Sequence, residues 1–281
     1  DDVEAVGLVK FDFLGLRTLT IIDWALQTIN HKKQLAGEAL IDITTIPRDD
    51  TASYALLKNG LTTAVFQLES RGMKELIKKL KPDCFDDIIA LVALYRPGPM
   101  ANIPTYCARK LGKEKIEYLH PKLEPILKET FGVITYQEQV QQAAKDLAGY
   151  TLAEADLLRR AMGKKIKSEM DDQRERFLTG ATERGVDRNI AIQIFDACAK
   201  FAEYGFNKSH SAPYAYISYQ TAYLKANHPV EFLAASMTLD MGNTDKLQVF
   251  RDEAVRIGVK VVSPSVNASA IDFGVRDGMI F

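Results

Sequence analysis

The stretch Tyr204-Gly-Phe-Asn-Lys-Ser-His-Ser-Ala-Pro-Tyr214 decides the fold of this sequence, and it runs on to Pro229. Its pattern predicts a loop that leads into a long helix. Gly205 is suited to end the preceding helix because glycine adopts a positive φ at low cost. Ser211 is suited to cap the next helix, and Pro213 is tolerated in a first turn. We therefore expect the long helix to begin near Ser211.

Two cations and three tyrosines give this junction a candidate function. Lys208 and His210 are expected just before the helix N-terminus, where free N–H groups and the helix dipole favour an anion. Tyr216, Tyr219 and Tyr223 follow at spacings of three and four, so they share one stripe of the helix. A cationic opening with aromatic rings behind it suits a nucleotide, because the phosphates are anionic and the base is a flat ring. The alternative is an ordinary loop–helix junction with a tyrosine-rich core face.

A second cationic segment ends the predicted helix that Thr151 and Glu154 open as a capping box. Gly163 is expected to terminate this helix. The cations are Arg159, Arg160, Lys164, Lys165 and Lys167, with no acid among them. A cation at a helix C-terminus contributes about 0.3–1 kcal/mol, which accounts for some of these residues but not for all. A phosphate-bearing ligand explains the cluster, and a solvated charge run is the alternative.

Composition limits the classes of function. The 281 residues are 47% apolar and 26% charged, which is ordinary for a soluble globular protein with two or three subdomains. The net charge is −1, so any contact with nucleic acid must come from local basic patches rather than a global field. No apolar run approaches the length of a membrane-spanning helix, so we expect no membrane span.

Cysteine usage and the two ends of the sequence add two expectations. Cys84, Cys107 and Cys198 are odd in number and far apart, which favours reduced thiols and a cytoplasmic protein without a zinc site. The sequence lacks an initiator methionine, and it stops at Phe281 just after a hairpin-like Asp277-Gly278 turn. We therefore expect a piece of a longer protein.

The remaining pattern predicts a mainly α protein. Residues 6–13 alternate as a strand, with Lys10 and Asp12 on one face and Val9, Phe11 and Phe13 on the other. Helices dominate from there to about residue 258. Short strands follow near 259–262, 271–276 and 279–281.

Three further segments of the helical region have readable local patterns. Residues 64–68 are predicted as a brief strand, and Ser70 opens a basic helix over 71–81. Asp83 and Asp86 resemble a capping box for an apolar helix that runs from Phe85 to Leu94. Tyr95-Arg-Pro-Gly-Pro99 then makes a stiff corner that can hold its arginine in a fixed place, and the alternative is a plain turn.

Several of these pieces, in this order, resemble one family: the replicative DNA polymerase III alpha subunit of bacteria, the C-family polymerases. The matching stretches are Lys10-Phe-Asp-Phe-Leu-Gly-Leu-Arg17, Phe66-Gln-Leu-Glu-Ser70, Tyr95-Arg-Pro-Gly-Pro99, Tyr136-Gln-Glu-Gln139, Leu158-Arg-Arg-Ala-Met-Gly-Lys-Lys165 and Tyr204-Gly-Phe-Asn-Lys-Ser-His-Ser211. Any one of them is weak evidence, whereas all of them in the family's order are specific.

The resemblance implies an organisation and a chemistry. Residues 1–32 would be the end of a palm, 33–258 a multi-helix fingers domain, and 259–281 the start of a small β-containing unit. Asp12 matches the third of the family's three catalytic aspartates, and the other two would lie upstream. Two Mg²⁺ ions would support nucleotidyl transfer in the intact polymerase. Lys10, on the same strand face as Asp12, would touch a phosphate.

The resemblance also implies contacts with the incoming nucleotide. Arg159 and Arg160 would grip the β- and γ-phosphates, and Lys164 would act as a point charge. Lys208 and His210 would reach the triphosphate or sugar. Tyr204 or Phe206 would stack on the base pair, and these aromatic rings complete the implied site.

The function implied is part of a DNA-directed DNA polymerase that extends a primer on a template. Its partners would be primer-template DNA, a deoxynucleoside triphosphate and, through regions absent here, holoenzyme subunits such as the sliding clamp. The isolated chain is expected to lack polymerase activity. Two alternatives stay open: a helical scaffold or interaction module, and a nucleic-acid-binding module without a nucleotide pocket that uses the basic helix over 71–81.

Overall fold

The computed structural model describes residues 6–9, 11, 15–164, 167–202 and 205–281. The expected mainly α fold is confirmed, and so is the small C-terminal sheet. The α-helices are α1 (Thr18–Leu35), α2 (Thr51–Lys58), α3 (Arg71–Leu80), α4 (Phe85–Leu94), α5 (Ile103–Lys110), α6 (Glu124–Leu127), α7 (Gln137–Ala148), α8 (Leu152–Lys164), α9 (Lys167–Glu183), α10 (Arg188–Ala202), α11 (Lys208–Asn227), α12 (Pro229–Leu239) and α13 (Thr244–Arg256). Single 3₁₀ turns cover Pro99–Asn102, Pro121–Leu123 and Lys128–Thr130. The strands are β1 (Lys260–Val261), β2 (Val275–Arg276) and β3 (Met279–Ile280).

The chain forms two compact units, and each is described by itself. The first unit combines Asp1–Ile46 with Tyr223–Phe281, and the second comprises Pro47–Ala222. The three cysteines carry no disulfide: Cys84 is exposed, and Cys107 and Cys198 are buried.

In the first unit, α1 packs along α12, and the sheet lies against α12 and α13. The buried face of α1 carries Ile22, Ala25 and Ile29, and that of α12 carries Phe232 and Leu233. Strand β3 is central, parallel to β1 and antiparallel to β2. Apolar residues at helical spacing on both helices therefore make the core of this unit.

A charged cluster at the end of α12 makes the first unit sensitive to acid. Asp240 accepts from Arg17 at 2.7 Å and from Lys246 at 2.9 Å, and its own side chain is 8% exposed. Burial alone raises a carboxyl pKa, but these hydrogen bonds outweigh it and lower the pKa of Asp240. The Asp240 carboxylate is thus more stable in the folded than in the unfolded chain.

The first unit is therefore expected to lose stability as the pH falls. The folded pKa of Asp240 lies below the unfolded value of about 3.9, so its contribution is complete above that value and is lost as the pH falls through the folded pKa. Trp24 in α1, the single tryptophan, reports this unit by fluorescence. Asp240→Asn should make the midpoint of thermal unfolding less dependent on pH below about pH 4. An unchanged pH profile in that variant would contradict the assignment.

The second unit has a helical core around α7, α8, α9 and α10. Phe177 and Phe195 meet with ring centroids 5.6 Å apart, and Val140, Leu147 and Ile194 are buried beside them. Helix α8 begins with the expected capping box, because Thr151 N donates to Glu154 at 2.7 Å and Glu154 N donates to Thr151 at 3.2 Å. This cap and the apolar stripe fix where α8 starts and which face it buries.

Close packing of α9 against the end of α7 requires a glycine. A Cβ atom built on Gly180 would lie 2.2 Å from the carbonyl oxygen of Ala148. We expect Gly180→Ala to destabilise the second unit by about 1–3 kcal/mol, despite alanine's better helix propensity, because the backbone of α7 must move. Thermal unfolding followed by helical circular dichroism measures it. Thr179→Ala on the exposed face of α9 is the matched control, and equal effects of the two changes would contradict the packing argument.

Helix α11 is the element to which the N-terminal part of the second unit is fastened. The Tyr219 hydroxyl donates to Pro47 O at 2.5 Å and accepts from Asp50 N at 3.2 Å. Its ring packs edge-on against Phe85, as does the ring of Tyr216. The fully buried Tyr219 thus belongs to a core face, which was the alternative to a nucleotide-facing tyrosine stripe.

The predicted start of α11 is wrong by about one turn. The helix begins at Lys208, and Asn207 caps it by accepting from His210 N at 3.0 Å. Ser211 is buried inside the helix and donates to Ile89 O at 2.8 Å instead of capping. Gly205 has no positive φ. A long-range bond to α4 therefore determines the role of Ser211, and the asparagine takes the cap.

Two other local predictions are wrong, the first for a tertiary reason and the second because the cap is shifted by one residue. Residues 64–68 form turns, with positive φ at Ala64 (65°) and Gln67 (58°), because Val65 and Leu68 are buried and Phe66 N donates to Thr221 Oγ1. Helix α4 is capped by Asp87, not by the predicted pair of aspartates one residue earlier. Its carboxylate reaches back to the first backbone N–H groups of the turn.

Two further predictions concern helix ends and the first strand. Helix α8 continues through Gly163 to Lys164, so the glycine does not terminate it. Of the predicted strand over 6–13, residues 6–9 and 11 have no regular structure. The positions of Lys10 and Asp12 lie outside the described residues.

Candidate functional site

Three of the stretches singled out from the sequence line one cavity in the second unit. The cavity has a volume of about 340 Å³. Its walls are Gln67, Met73, Val92, Tyr95, Arg96, Phe206, His210 and Tyr214. The stretches over 66–70, 95–99 and 204–211 each contribute to it, although they are far apart in the chain. Folding thus brings together cationic, amide and aromatic side chains in a single concave place.

Arg96 is held rigidly at this cavity, as the stiff corner predicted. Its Nε donates to Ala93 O at 3.1 Å, and its guanidinium carbon lies 4.0 Å from the centroid of the Phe206 ring. Burial lowers the pKa of Arg96, but a guanidinium stays charged at neutral pH. A cation stacked on the ring fixes the orientation of Phe206.

Aromatic rings continue from Phe206 along one side of α11. The His210 ring lies 5.5 Å from the Phe206 centroid and 4.8 Å from that of Tyr214, which in turn lies 5.8 Å from Phe66. The spacing of four residues between His210 and Tyr214 places both rings on one helical face. The site therefore offers flat faces beside a fixed positive charge.

The stretch Tyr136-Gln-Glu-Gln139 holds the loop before α11 in place. Gln137 N donates to Phe206 O at 2.9 Å, and Gln137 Nε2 donates to Gly205 O at 2.9 Å. Tyr136 and Phe206 form a single parallel β-bridge. The resemblance identified this stretch without giving its residues a role, and the structure shows that they position the loop.

The backbone N–H groups at the start of α11 are not free, contrary to the prediction. Glu138 accepts from Lys208 N at 2.9 and 3.0 Å and from Ser209 N at 3.4 Å. The Lys208 ammonium donates to Glu129 at 2.5 Å and lies 5.3 Å from the Tyr136 ring centroid. The dipole attracts an anion as expected, but the anion is a carboxylate of the chain itself.

Arg159 and Arg160 share one carboxylate. Asp156 Oδ1 accepts from Arg159 Nε at 3.0 Å and Nη2 at 2.9 Å, while its Oδ2 accepts from Arg160 Nε at 2.8 Å. The hydrogen bond from Arg159 is the main cause that lowers the pKa of Asp156. The Arg160 side chain is 63% exposed. Both guanidiniums are thus preassembled on one face of α8, where Arg160 is largely open to solvent and Arg159 is 30% exposed.

Helix α7 links the two cationic groups. Glu138 binds the start of α11, and Gln141 donates to Asp156 at 3.3 Å. These residues are three apart, so they share one face of α7. Lys208 and the arginine pair are therefore both anchored to the first half of the same helix. Sequence reasoning missed Glu129, Glu138 and Asp156. The spacing of Asp156 to Arg159 and Arg160 was a readable signal for its pairing.

Several predicted site residues fall outside the described part of the chain. Lys10, Asp12 and Tyr204 are among them, so the predicted metal ligand Asp12 has no described surroundings. For Lys164 the structure describes only its place as the last residue of α8.

One group of possible metal ligands occurs among the described residues, and a lysine neutralises it. Ligand atoms of Asp83, Cys84 and Asp87 lie within 4.8 Å of one another. The Lys110 ammonium lies 3.0 Å from both aspartates, and Asp87 is buried. We assign this group a structural role as a partly buried ion cluster.

The basic helix α3 has the predicted cap and a mixed surface. Ser70 accepts from Met73 N, and Arg71 is almost fully exposed. Lys74 is engaged, since it donates to Thr63 at 2.6 Å. Contact of this helix with DNA stays a prediction. No helix within the described residues is both long and apolar enough to cross a membrane.

Comparison with known proteins places the chain in a family. The family model described as bacterial DNA polymerase III alpha subunit finger domain matches residues 18–185. Curated relatives named DNA polymerase III subunit alpha are 58% identical in Pasteurella multocida over 99% of the chain, 55% in Escherichia coli K12 over 98%, and 56% in Caulobacter vibrioides over 99%. The chain covers 24% of each relative, about a quarter of its length. The chain belongs to the finger domain family of the bacterial DNA polymerase III alpha subunit.

Proposed function

We propose that this chain forms the fingers of a replicative DNA-directed DNA polymerase and binds the incoming deoxynucleoside triphosphate. One observation carries the proposal: three separate stretches converge on a single cavity that combines Arg96 with the rings of Phe206, His210 and Tyr214. Aromatic faces accept any base by stacking, and a template-directed polymerase must accept all four.

The phosphates are assigned to the cations anchored on α7. Arg159 and Arg160 grip the β- and γ-phosphates, because a guanidinium fork matches phosphate oxygens. Lys208 supplies a further positive charge. Lys164 and His210 also contact the triphosphate or the sugar. Tyr204 or Phe206 stacks on the base pair, and Arg96 holds the Phe206 ring in place. Triphosphate binding then means exchange of the internal carboxylates for phosphate oxygens.

Nucleotidyl transfer itself is assigned to the start of the chain and to residues upstream of it. Mg²⁺, two ions in the intact polymerase, would lower the pKa of the primer hydroxyl and neutralise the triphosphate. The described acids of the site do not fit such a centre, since Glu129, Glu138 and Asp156 are already engaged by N–H donors. We assign Asp12 as the metal ligand on this chain, with Lys10 beside it, and expect the isolated chain to lack polymerase activity.

The domain assignment follows the same proposal. Residues 1–32 end the palm, 33–258 form the fingers and 259–281 begin a small β-containing unit. Primer-template DNA is the partner of the site, and exposed cations of α3 contact its backbone. Holoenzyme subunits including the sliding clamp bind elsewhere on the intact, cytoplasmic polymerase.

Equilibrium dialysis with a radiolabelled deoxynucleoside triphosphate and Mg²⁺ tests the proposal. We expect saturable binding that all four deoxynucleoside triphosphates compete for and that the matching nucleosides do not. Duplex DNA that binds while the triphosphate neither binds nor competes would instead favour a nucleic-acid-binding module. Absence of both would favour a scaffold.

Removal of the Asp156 carboxylate beside the arginine pair should strengthen triphosphate binding, whereas removal of the arginines should weaken it. Asp156→Asn removes the negative charge that competes with phosphate for Arg159 and Arg160, so we expect triphosphate affinity to rise about three- to fivefold. The same dialysis measures it. Asp146→Asn, at an exposed acid of α7 bound only to Gln142 in the described hydrogen bonds, is the control. Unchanged or weaker binding in Asp156→Asn would contradict the exchange of carboxylate for phosphate.

A further inference from the structure

A second cavity lies in the Pro47–Ala222 unit, apart from the candidate nucleotide site. Its volume is about 360 Å³. Helix α10 contributes Ile194 and Cys198 to its wall, α7 contributes Ala143, and the segment around α6 contributes Leu127 and Val133. Three elements that pack closely elsewhere thus leave a space between them.

The cavity opens to solvent, since its wall includes the exposed side chains of Leu119 and Lys200. Its volume falls within the roughly 300–1,000 Å³ of ligand pockets. The neighbouring core is well packed, since Leu147, Phe177 and Phe195 are almost completely buried. The cavity is therefore better explained as a site for an occupant than as loose packing.

The buried polar groups of its wall are already used, which favours an apolar occupant. The Gln139 amide donates to Ile126 O at 3.2 Å and to Thr130 at 2.9 Å, and its oxygen accepts from two backbone N–H groups. Arg109 is bound to Glu114 at 2.8 Å. Among the described residues, no buried side-chain nitrogen or oxygen lacks a partner. The remaining charged side chains of the wall, Glu117 and Lys200, are exposed and opposite in sign.

We propose that this cavity binds an uncharged, largely apolar small molecule of one or two fused rings. Apolar contact with Ile194, Leu127 and Val133 supplies the affinity. The site is separate from the phosphate-binding residues and is filled independently of them.

Titration of the 281-residue chain with 2-naphthol, followed by calorimetry, tests this proposal. We expect one saturable site for 2-naphthol. Ala197→Leu extends a side chain from α10 into the cavity and should weaken 2-naphthol at least tenfold. Gln193→Leu adds the same side chain on the exposed face of α10 and should leave binding unchanged. Equal binding in both variants, or no saturable binding, would overturn the proposal.

The unmodified chain offers a second readout that needs no variant. Cys198 lines the cavity and is 4% exposed, and burial raises its pKa to about 12, so it alkylates slowly. Saturating 2-naphthol should slow alkylation of Cys198 by N-ethylmaleimide at least fivefold, as measured by mass spectrometry. The exposed Cys84 is the internal control and should react at the same rate. An unaltered rate at Cys198 would place the bound molecule elsewhere.

Discussion

Replacement of both Arg159 and Arg160 by alanine is expected to weaken deoxynucleoside triphosphate binding by about a hundredfold or more. Each guanidinium would donate charge-assisted hydrogen bonds to phosphate, and such bonds contribute about 1.5–3 kcal/mol each. Equilibrium dialysis with Mg²⁺ and a labelled triphosphate measures the loss.

The matched control for the arginine pair lies in the same unit. Arg174 and Arg188 are also exposed and also paired with acids, Asp196 and Glu175, on α9 and α10. Their joint replacement by alanine removes the same total charge and should change affinity by less than about threefold. If both double variants lose affinity equally, the effect is one of general charge, and the assignment of phosphates to Arg159 and Arg160 fails.

A large effect on stability is expected from Lys225→Met in the first unit. The Lys225 ammonium is completely buried and lies 2.5 Å from Glu253, whose side chain is 4% exposed. Methionine keeps most of the volume but leaves a buried carboxylate whose remaining charged partner, among the described residues, is Arg256 at 2.6 Å. Removal of one member of a buried pair costs about 3–5 kcal/mol. Urea unfolding followed by Trp24 fluorescence measures the change in unfolding free energy.

The second half of that experiment separates charge from packing. In Lys225→Met with Glu253→Gln the uncompensated charge is gone, so we expect about half or more of the lost stability to return. A double variant no more stable than Lys225→Met alone would mean that packing of the lysine stem, and not the ion pair, carries the effect.

Helices with local signals were predictable from the sequence. The caps at Ser70 and Thr151 lie within three residues of their partners, and α3 and α8 begin where those residues predicted. The apolar helix from Phe85 to Leu94 was predicted to the residue, because a glycine–proline corner follows it and bounds it.

Predictions of local structure failed where contacts with distant residues override the local sequence preference. Serine is a residue type that caps helices, but the Ser211 hydroxyl donates instead to Ile89 O, 122 residues away. Residues 64–68 have strand composition, but burial of Val65 and Leu68 and a bond from Phe66 N to Thr221 fold them into turns. No pattern within a short window contains these partners.

The candidate site also has contacts that the sequence could predict and contacts that it could not. Motif resemblance placed Phe206 and the arginine pair in one implied site and gave Arg96 no role there, whereas the structure brings Arg96 and Phe206 into contact. The carboxylates that satisfy the cations were not predicted for α11, because Glu129 and Glu138 are 79 and 70 residues from Lys208. Asp156 lies three and four residues from its arginines, so that pairing was within reach of helical geometry.

The central claim is that the cavity between Arg96 and the α11 rings receives the base of a bound nucleotide. Ultraviolet cross-linking of 8-azido-dATP to the chain in the presence of Mg²⁺, followed by peptide mass spectrometry, tests it most directly. The account predicts cross-links at Tyr95, Phe206, His210 or Tyr214, and their loss when unlabelled dATP is added. Competable cross-links confined to α3 or to the first unit would contradict it.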